Sequence, residues 1–235
     1  MIEPFDAGQD LKDAPRALGP RLRPRDAATL ILFRDGVDGA EVLMGRRAQG
    51  HVFMASKWVF PGGRIDRSDY RAASATDPTA ETLTRLHREV PAARARALTL
   101  TAVRETFEET GLMLAEPAPV ASVAGPWREF RAVGALPDLA ALTYVGRAIT
   151  PPGRTRRFDA RFFMADVSAL LTPEPTAGSG ELDEIAWLPL EDARSLPLPA
   201  ITRLILGEAA QRRADPDHTP PFVRMVRGQH IITRE

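Results

Sequence analysis

An acidic segment at positions 104–112, RETFEETGL, constrains the fold of this chain more than any other part of its sequence. On a helix with 3.6 residues per turn, the carboxylates of Glu105, Glu108 and Glu109 share one face. The opposite face carries apolar side chains, namely Leu100, Val103 and Phe107. The segment is therefore predicted to be an amphipathic helix with one stripe on a core, and Gly111 is suited to end it.

Three carboxylates on one helix face are costly unless something neutralises them. Glu105 and Glu109 are a like-charge pair four residues apart, which destabilises even a free helix. At about 5–6 Å and an effective dielectric constant near 20, each such pair repels by about 3 kcal/mol. Arg104 can offset part of this through Glu108, but one arginine does not neutralise three carboxylates. A divalent cation would, since Mg²⁺ and Mn²⁺ both prefer oxygen ligands.

A glycine turn upstream favours a metal site over the alternative, which is a solvated acidic helix face without a ligand. The segment 58–63, WVFPGG, is typical of a short strand that ends at Pro61 and is followed by two glycines. A strand, a glycine turn and an acidic helix would bring free backbone groups beside the carboxylates.

Together these segments resemble the Nudix hydrolase family, whose signature is G-x5-E-x7-R-E-U-x-E-E-x-G-U, with U an aliphatic residue. Gly63 matches the leading glycine, and the segment 104–112 matches the second half, with Thr106 at the first aliphatic position. The segment 58–63 is also similar to the family's approach to this signature. The resemblance covers roughly residues 26–212 and implies an α/β/α sandwich with a mixed β-sheet.

The signature is interrupted in this chain. Gly63 and Glu105 lie 42 positions apart, against 15 in the family pattern, so about 27 extra residues are predicted to form a helical insertion at about 67–94. This split signature is similar to a subgroup that includes peroxisomal coenzyme A diphosphatases of the nucleoside diphosphate-linked moiety X motif 19 type.

The middle glutamate of the signature is absent from its expected place. Counted back from Arg104, that place is occupied by Arg96. Glu81 and Glu89, both inside the insertion, are candidate substitutes.

The resemblance implies a pyrophosphohydrolase that cleaves a nucleoside diphosphate linked to another moiety, with coenzyme A or an acyl-coenzyme A as candidate substrates. The implied ligands of Mg²⁺ or Mn²⁺ are Glu105, Glu108, Glu109 and the backbone carbonyl of Gly63. Arg104 is interpreted as a catalytic-site residue that orients this cluster. Glu105, Glu108 or a loop carboxylate is the candidate general base.

Other charged residues are candidates for contacts with the substrate, with solvated loops as the alternative. The arginines suited to bidentate phosphate contacts are Arg46, Arg64, Arg156 and Arg157. The acidic candidates in a loop before a strand are Glu181 and Glu184. His51 is the histidine near the motif, and either packing or a substrate contact would explain it.

The rest of the chain indicates an α+β fold with helices against a mixed sheet. A hairpin is predicted around the Asp-Gly pairs at 35–39. Further strands are predicted at 140–149, 158–167 and 185–188. The predicted organisation is an arm at 1–25 and a single domain at 26–235, which contains a C-terminal helical segment at about 190–214.

Composition narrows the function classes. Lys plus Arg and Asp plus Glu both number 31 in 235 residues, so no basic field supports nucleic-acid binding. The chain has no cysteine, which excludes disulfides, thiolate zinc sites and iron–sulfur clusters. No apolar run approaches about 18 residues and no signal peptide is visible, so no membrane association is expected and the cytoplasm is the default. A homodimer is a reasonable expectation that nothing in the chain demands.

The main alternative to an enzyme is a Nudix-fold sensor or scaffold that binds a nucleotide without cleaving it. Retention of all three helix glutamates favours catalysis, whereas the split signature and Arg96 favour the sensor. A structural acidic helix in an unrelated α+β protein would require the glycine approach to be a coincidence.

Overall fold

The computed structural model describes residues 5, 7, 22–48, 56–172, 174–176 and 180–234. Most of the predicted arm, and His51, lie outside the described residues. Within these ranges, no helix combines the length and the apolar character needed to cross a membrane.

The elements alternate irregularly along the chain. The α-helices of the described residues are α1 (Ala80–His87), α2 (Ala92–Thr110), α3 (Arg128–Ala132), α4 (Leu190–Ser195) and α5 (Ala200–Ala214). The strands are β1 (Arg25–Gly36), β2 (Gly39–Arg47), β3 (Trp58–Val59), β4 (Gly62–Arg64), β5 (Ala115–Pro117), β6 (Ala135–Pro137), β7 (Thr143–Ile149), β8 (Phe158–Asp166), β9 (Leu182–Pro189), β10 (Pro221–Val226) and β11 (Gln229–Arg234). Short 3₁₀ turns occur at Arg67–Tyr70 and Val167–Ala169.

Nine of these strands form one mixed sheet in the order β11-β10-β7-β8-β1-β2-β3, with β4 paired to β1 and β9 paired to β2. Strand β1 runs parallel to β8 and β10 runs parallel to β7, whereas the other pairings are antiparallel. Strands β5 and β6 form a separate small sheet. The predicted hairpin is confirmed as β1–β2, and so is the α+β fold.

Helices cover both faces of the large sheet, which gives the expected α/β/α sandwich. Leu98 of α2 packs on one face in a core with Leu30 of β1. Ile205 of α5 packs on the other face in a core with Ile31. Successive residues of β1 therefore enter two different cores, as expected for a central strand buried on both sides.

Helix α2 confirms the predicted amphipathic helix and its end. Gly111 follows the last helical residue with φ of +74°, and its N–H donates to the carbonyl of Phe107 at 2.8 Å. This left-handed position costs a glycine little, because it has no Cβ.

The insertion is part of the protein core. Leu86 of α1 is fully buried and packs in the same core as α2. The Thr82 hydroxyl donates to the carbonyl of Leu142 at 3.0 Å. Apolar and polar contacts thus anchor the insertion next to the start of β7.

The two glutamates of the insertion make their hydrogen bonds and ion pairs away from the acidic face of α2. Glu89 accepts hydrogen bonds from the Tyr144 hydroxyl at 2.8 Å and from Nε of Arg161 at 3.0 Å. Glu81 pairs with Arg85 on its own helix and with Arg212 of α5. Neither glutamate therefore substitutes for the middle glutamate of the signature.

The C-terminal hairpin β10–β11 lies beyond the predicted helical segment and was not expected. Arg227 and Gly228 join its strands with φ of +50° and +83°. Two successive left-handed residues are typical of a type I′ turn, for which Asn-Gly and Asp-Gly are the usual signals. The Arg-Gly pair gives a weaker signal, so the hairpin is hard to see in the sequence.

Candidate active site

The glycine turn lies directly against the acidic face of α2. Strand β4 pairs with β1, with Gly63 opposite Ala28. The N–H of Gly62 donates to Oε2 of Glu109 at 3.1 Å. A Cβ atom at Gly63 would overlap the carboxylate of Glu105, so that carboxylate would have to leave its present position. The predicted proximity of glycine backbone and helix carboxylates is thus what the structure shows.

Arg104 is the centre of the hydrogen bonds on this face. Its Nη1 donates to Oε1 of Glu105 at 2.9 Å and to Oε2 of Glu108 at 3.0 Å. Its Nη2 donates to the carbonyl of Arg64 at 2.9 Å. Arg104 therefore ties two of the predicted metal ligands to the glycine turn, which agrees with its interpretation as an orienting residue.

Asp69 holds the other side of the Arg104 guanidinium and was not predicted as a site residue. It is 0% exposed and accepts hydrogen bonds from Nε and Nη2 of Arg104, both at 2.9 Å. The remaining donors to its carboxylate are the Thr101 hydroxyl, Nε1 of Trp127 and the N–H of Asp66. A buried carboxylate with this many donors is well compensated.

Counting forward along the signature would have found this residue. The sixth residue after Gly63 is Asp69, which is where the family pattern has its glutamate. The assignment of that place to Arg96 was wrong, because the extra residues follow Asp69 and shift any count made backwards from Arg104. Arg96 instead donates to the carbonyl of Ala72 at 2.9 Å.

Glu109 is the most strongly perturbed carboxylate of the cluster. Its residue is 4% exposed, and burial followed by the charge of Glu105 raises its pKa to about 8. The hydrogen bond from Gly62 and the charge of Arg47 oppose this rise in pKa, whereas the charge of Glu181 adds to it. Among the described residues, no cationic side chain lies within 4 Å of the Glu109 carboxylate.

Glu105 and Glu108 are perturbed in the same direction. Burial raises the pKa of each, and the charge of Arg104 and its hydrogen bonds oppose the rise. The pKa of Arg104 is itself raised, because Asp69 and the two glutamates outweigh the effect of burial. The positive charge of Arg104 therefore compensates the negative charge of the three carboxylates only in part.

The oxygen atoms on this face are suitable ligands for a divalent cation. Mg²⁺ and Mn²⁺ bind carboxylate and carbonyl oxygens, and the cluster offers both kinds. In the described ranges, no three acidic, histidine or cysteine side chains are already arranged as a metal site. The contacts explain this, because Arg104 holds Glu105 and Glu108 while Gly62 holds Glu109. A bound cation would supply the positive charge that the Glu109 carboxylate lacks.

The structure places the two acidic substrate-binding candidates differently. Glu181 is exposed, and its charge acts on both Glu105 and Glu109, so it lies at the edge of the cluster. Glu184 instead pairs with Nη2 of Arg46 at 3.2 Å.

The candidate arginines also divide into paired and exposed residues. Arg46 is engaged by Glu184 and by Asp183, the latter at 3.0 Å. Arg157 donates to the backbone carbonyls of Thr150 and Leu22. The side chains of Arg64 and Arg156 are exposed to solvent. The backbone of Arg64 belongs to the site through Arg104.

Several solved structures are similar to this chain. A Nudix hydrolase from Alicyclobacillus acidocaldarius shares 30% identity with a TM-score of 0.61, over 79% of this chain and 90% of that one. The Nudix domain of Shewanella oneidensis NrtR, complexed with ADP ribose, shares 14% identity with a TM-score of 0.49, over 91% and 99% of the two chains. The Nudix hydrolase RenU from M. smegmatis shares 19% identity with a TM-score of 0.46, over 86% and 93%. Neither a family model nor a curated protein matches the chain.

The fold, the acidic helix beside the glycine turn and the similarity at 30% identity define a hydrolase that acts on phosphoric anhydride bonds. The chain belongs to the Nudix hydrolase family. Its general activity is therefore that of a pyrophosphohydrolase of the Nudix kind.

Proposed function

We propose that this protein is a Mg²⁺- or Mn²⁺-dependent pyrophosphohydrolase for nucleoside diphosphates linked to another moiety. The observation that carries the proposal is the buried Glu109 carboxylate, which accepts a hydrogen bond from the Gly62 N–H and, among the described residues, has no cationic side chain within 4 Å. A buried carboxylate without a cation is expensive, and it becomes favourable when a metal ion binds. This incompletely compensated carboxylate is what supports the proposal of a cation at the cluster.

Each residue of the cluster has a distinct part in this proposal. Glu105, Glu108 and Glu109, with the carbonyl of Gly63, would hold the cation. The cation supplies charge neutralisation on the diphosphate oxygens when it is bound. Arg104 fixes the directions of Glu105 and Glu108 through its two hydrogen bonds.

The general base is assigned to Glu105 or Glu108. Arg104 holds both carboxylates within the proposed site, and a carboxylate placed next to the attacking water can accept its proton. Glu181 at the edge of the cluster is the loop carboxylate that could share this part.

Coenzyme A or an acyl-coenzyme A is the proposed substrate class. The support is the position of the insertion between Asp69 and Arg104, which resembles the split signature of coenzyme A diphosphatases. The structure adds that this insertion is packed into the core through Leu86, so it is a fixed part of the molecule.

A hydrolysis panel tests the proposed function. Coenzyme A, acyl-coenzyme A, ADP-ribose, NADH, dinucleoside polyphosphates and nucleoside triphosphates would each be incubated with the enzyme and Mg²⁺ or Mn²⁺. We expect a diphosphate-linked nucleotide to be cleaved into two phosphorylated products, with no turnover after chelation of the metal. Mass spectrometry in ¹⁸O-water would identify which phosphorus is attacked.

Two results of this panel would contradict the proposal. Binding of a nucleotide without cleavage of any compound would identify a sensor instead of an enzyme. Cleavage that persists in excess chelator would contradict the dependence on a metal ion. Preference for another diphosphate over coenzyme A would overturn only the substrate class.

A further inference from the structure

The carboxylate of Asp69 connects the signature to a part of the chain outside it. Nε1 of Trp127 donates to Oδ1 of Asp69 at 3.1 Å, although the two residues are 58 positions apart. The same Oδ1 accepts from Nε of Arg104 at 2.9 Å. Arg104 and Trp127 thus converge on one oxygen atom of a carboxylate that is wholly buried.

Trp127 is held firmly where it makes this contact. It is 4% exposed and immediately precedes helix α3. Its ring packs edge-on against Phe130, with 5.3 Å between the ring centroids. Phe130 packs in the same way against Phe107 of α2, at 5.2 Å. The segment around α3 therefore contacts the acidic helix both by packing and through the indole N–H.

We propose that Trp127 is a positioning residue for hydrolysis of the diphosphate. Its N–H fixes the rotation of the Asp69 carboxylate, and that carboxylate fixes the guanidinium of Arg104. The guanidinium in turn holds Glu105 and Glu108 in their present directions. This proposal rests on the proposed function, because it assigns Trp127 an effect on the groups that would hold the cation.

The hydrogen bonds of the Asp69 carboxylate explain why the indole donor matters. Asp69 lies in the 3₁₀ turn at Arg67–Tyr70, and its carboxylate contacts Arg104 from there. Two donors on Oδ1 and three on Oδ2 leave the carboxylate one orientation. Loss of the indole donor would leave Oδ1 with Arg104 alone and allow the pair to tilt. Arg104 is the residue that contacts the proposed ligands directly, and disturbing such an orienting partner changes activity by about 10- to 100-fold.

The decisive variant removes the N–H and keeps the ring. Benzothienylalanine has a sulfur atom in place of the indole N–H, and it can be inserted at position 127 by codon suppression. The matched control is tryptophan inserted by the same suppression. Steady-state kinetics on the best substrate of the panel would give kcat and KM for both proteins. We expect kcat to fall about 10-fold while KM changes by less than about twofold. The reason is that the variant disturbs the residues that orient Glu105 and Glu108, and leaves the contacts with the substrate in place.

A double-mutant cycle tests whether Trp127 acts through Asp69. We expect Trp127→Phe to lower kcat in the otherwise natural protein and to have little further effect in the Asp69→Asn variant. Additive effects would show that Trp127 acts by another route and would overturn the proposal.

The outcomes separate this proposal from the proposed function. An active natural enzyme whose benzothienylalanine variant keeps its kcat would refute the part assigned to Trp127 alone. An equal loss of kcat in the control, in which tryptophan is inserted by the same codon suppression, would refute it as well. The loss would then not come from removal of the indole N–H. A natural protein that cleaves no diphosphate would overturn both proposals.

Discussion

The backbone N–H of Gly62 donates a 3.1 Å hydrogen bond to Oε2 of Glu109, a carboxylate whose pKa is raised by burial and then by the charge of Glu105. One neutral donor compensates only part of the cost of a buried carboxylate, which is a few kcal/mol. With a pKa of about 8, Glu109 is therefore mostly protonated near neutral pH in the metal-free protein. Under the proposed function, a bound cation would favour the ionised carboxylate, which would couple metal binding to the loss of this proton.

The stability of the metal-free protein should fall with pH because of Glu109. Its pKa is about 8 in the folded protein, against 4.5 as the ordinary value, so the folded state binds the proton more tightly. The favourable contribution of the protonated group is complete below about pH 4.5 and is lost as pH rises towards about 8. Relative to the natural protein, Glu109→Gln should gain up to about 1 kcal/mol per pH unit in this window. Urea unfolding in a chelator at several pH values would measure the difference, and a difference independent of pH would contradict the assignment.

Gly63→Ala should damage activity more than stability. The added Cβ would overlap the carboxylate of Glu105, which must turn away and leave the cluster. We expect kcat to fall by more than about 10-fold, as for other displaced site residues. The matched control is Gly207→Ala in α5, where a Cβ meets nothing within 4 Å. That variant should retain full activity and gain about 0.5–1 kcal/mol, because alanine is the better helix former. Equal activity in both variants would show that catalysis does not depend on the present position of the Glu105 carboxylate.

The insertion should contribute to stability through Glu89. Removal of its carboxylate in Glu89→Ala takes one partner from Arg161, which is 1% exposed, and the acceptor from the Tyr144 hydroxyl. The loss is expected to be about 3 kcal/mol in denaturant unfolding, as for other broken buried ion pairs. Glu129→Ala, at an exposed position of α3, should change stability by less than about 0.5 kcal/mol. Arg161 also pairs with Asp26 at 3.0 Å and with Asp159 at 3.1 Å, and a similarly small effect at Glu89 would mean that these two already satisfy it.

Local patterns predicted the parts of the site that are continuous in sequence. The 3.6-residue period and Gly111 gave helix α2, and the turn pairs between apolar runs gave the β1–β2 hairpin. Each of these signals lies within one element, so no knowledge of the fold is needed to use it.

Contacts between distant segments could not be predicted in the same way. Trp127 meets Asp69 because the segment between β5 and β6 packs against α2 through Phe130 and Phe107, and no local pattern encodes that contact. Asp69 itself was detectable by counting forward from Gly63. The insertion shifted the backward count from Arg104, which shows that a split signature must be aligned from both ends.

The most direct test of a cation held by these carboxylates is the metal-dependent turnover of Glu109→Gln. Its control is Glu116→Gln, which removes the same charge at an exposed position of β5. With Mg²⁺ or Mn²⁺ at saturation for the natural enzyme, we predict a loss of at least about 100-fold for Glu109→Gln, more than for residues that only orient ligands. The control should be unaffected, and in a chelator both variants should unfold at or above the natural temperature. Turnover by Glu109→Gln within about twofold of the natural enzyme, at the same metal concentration, would contradict the account.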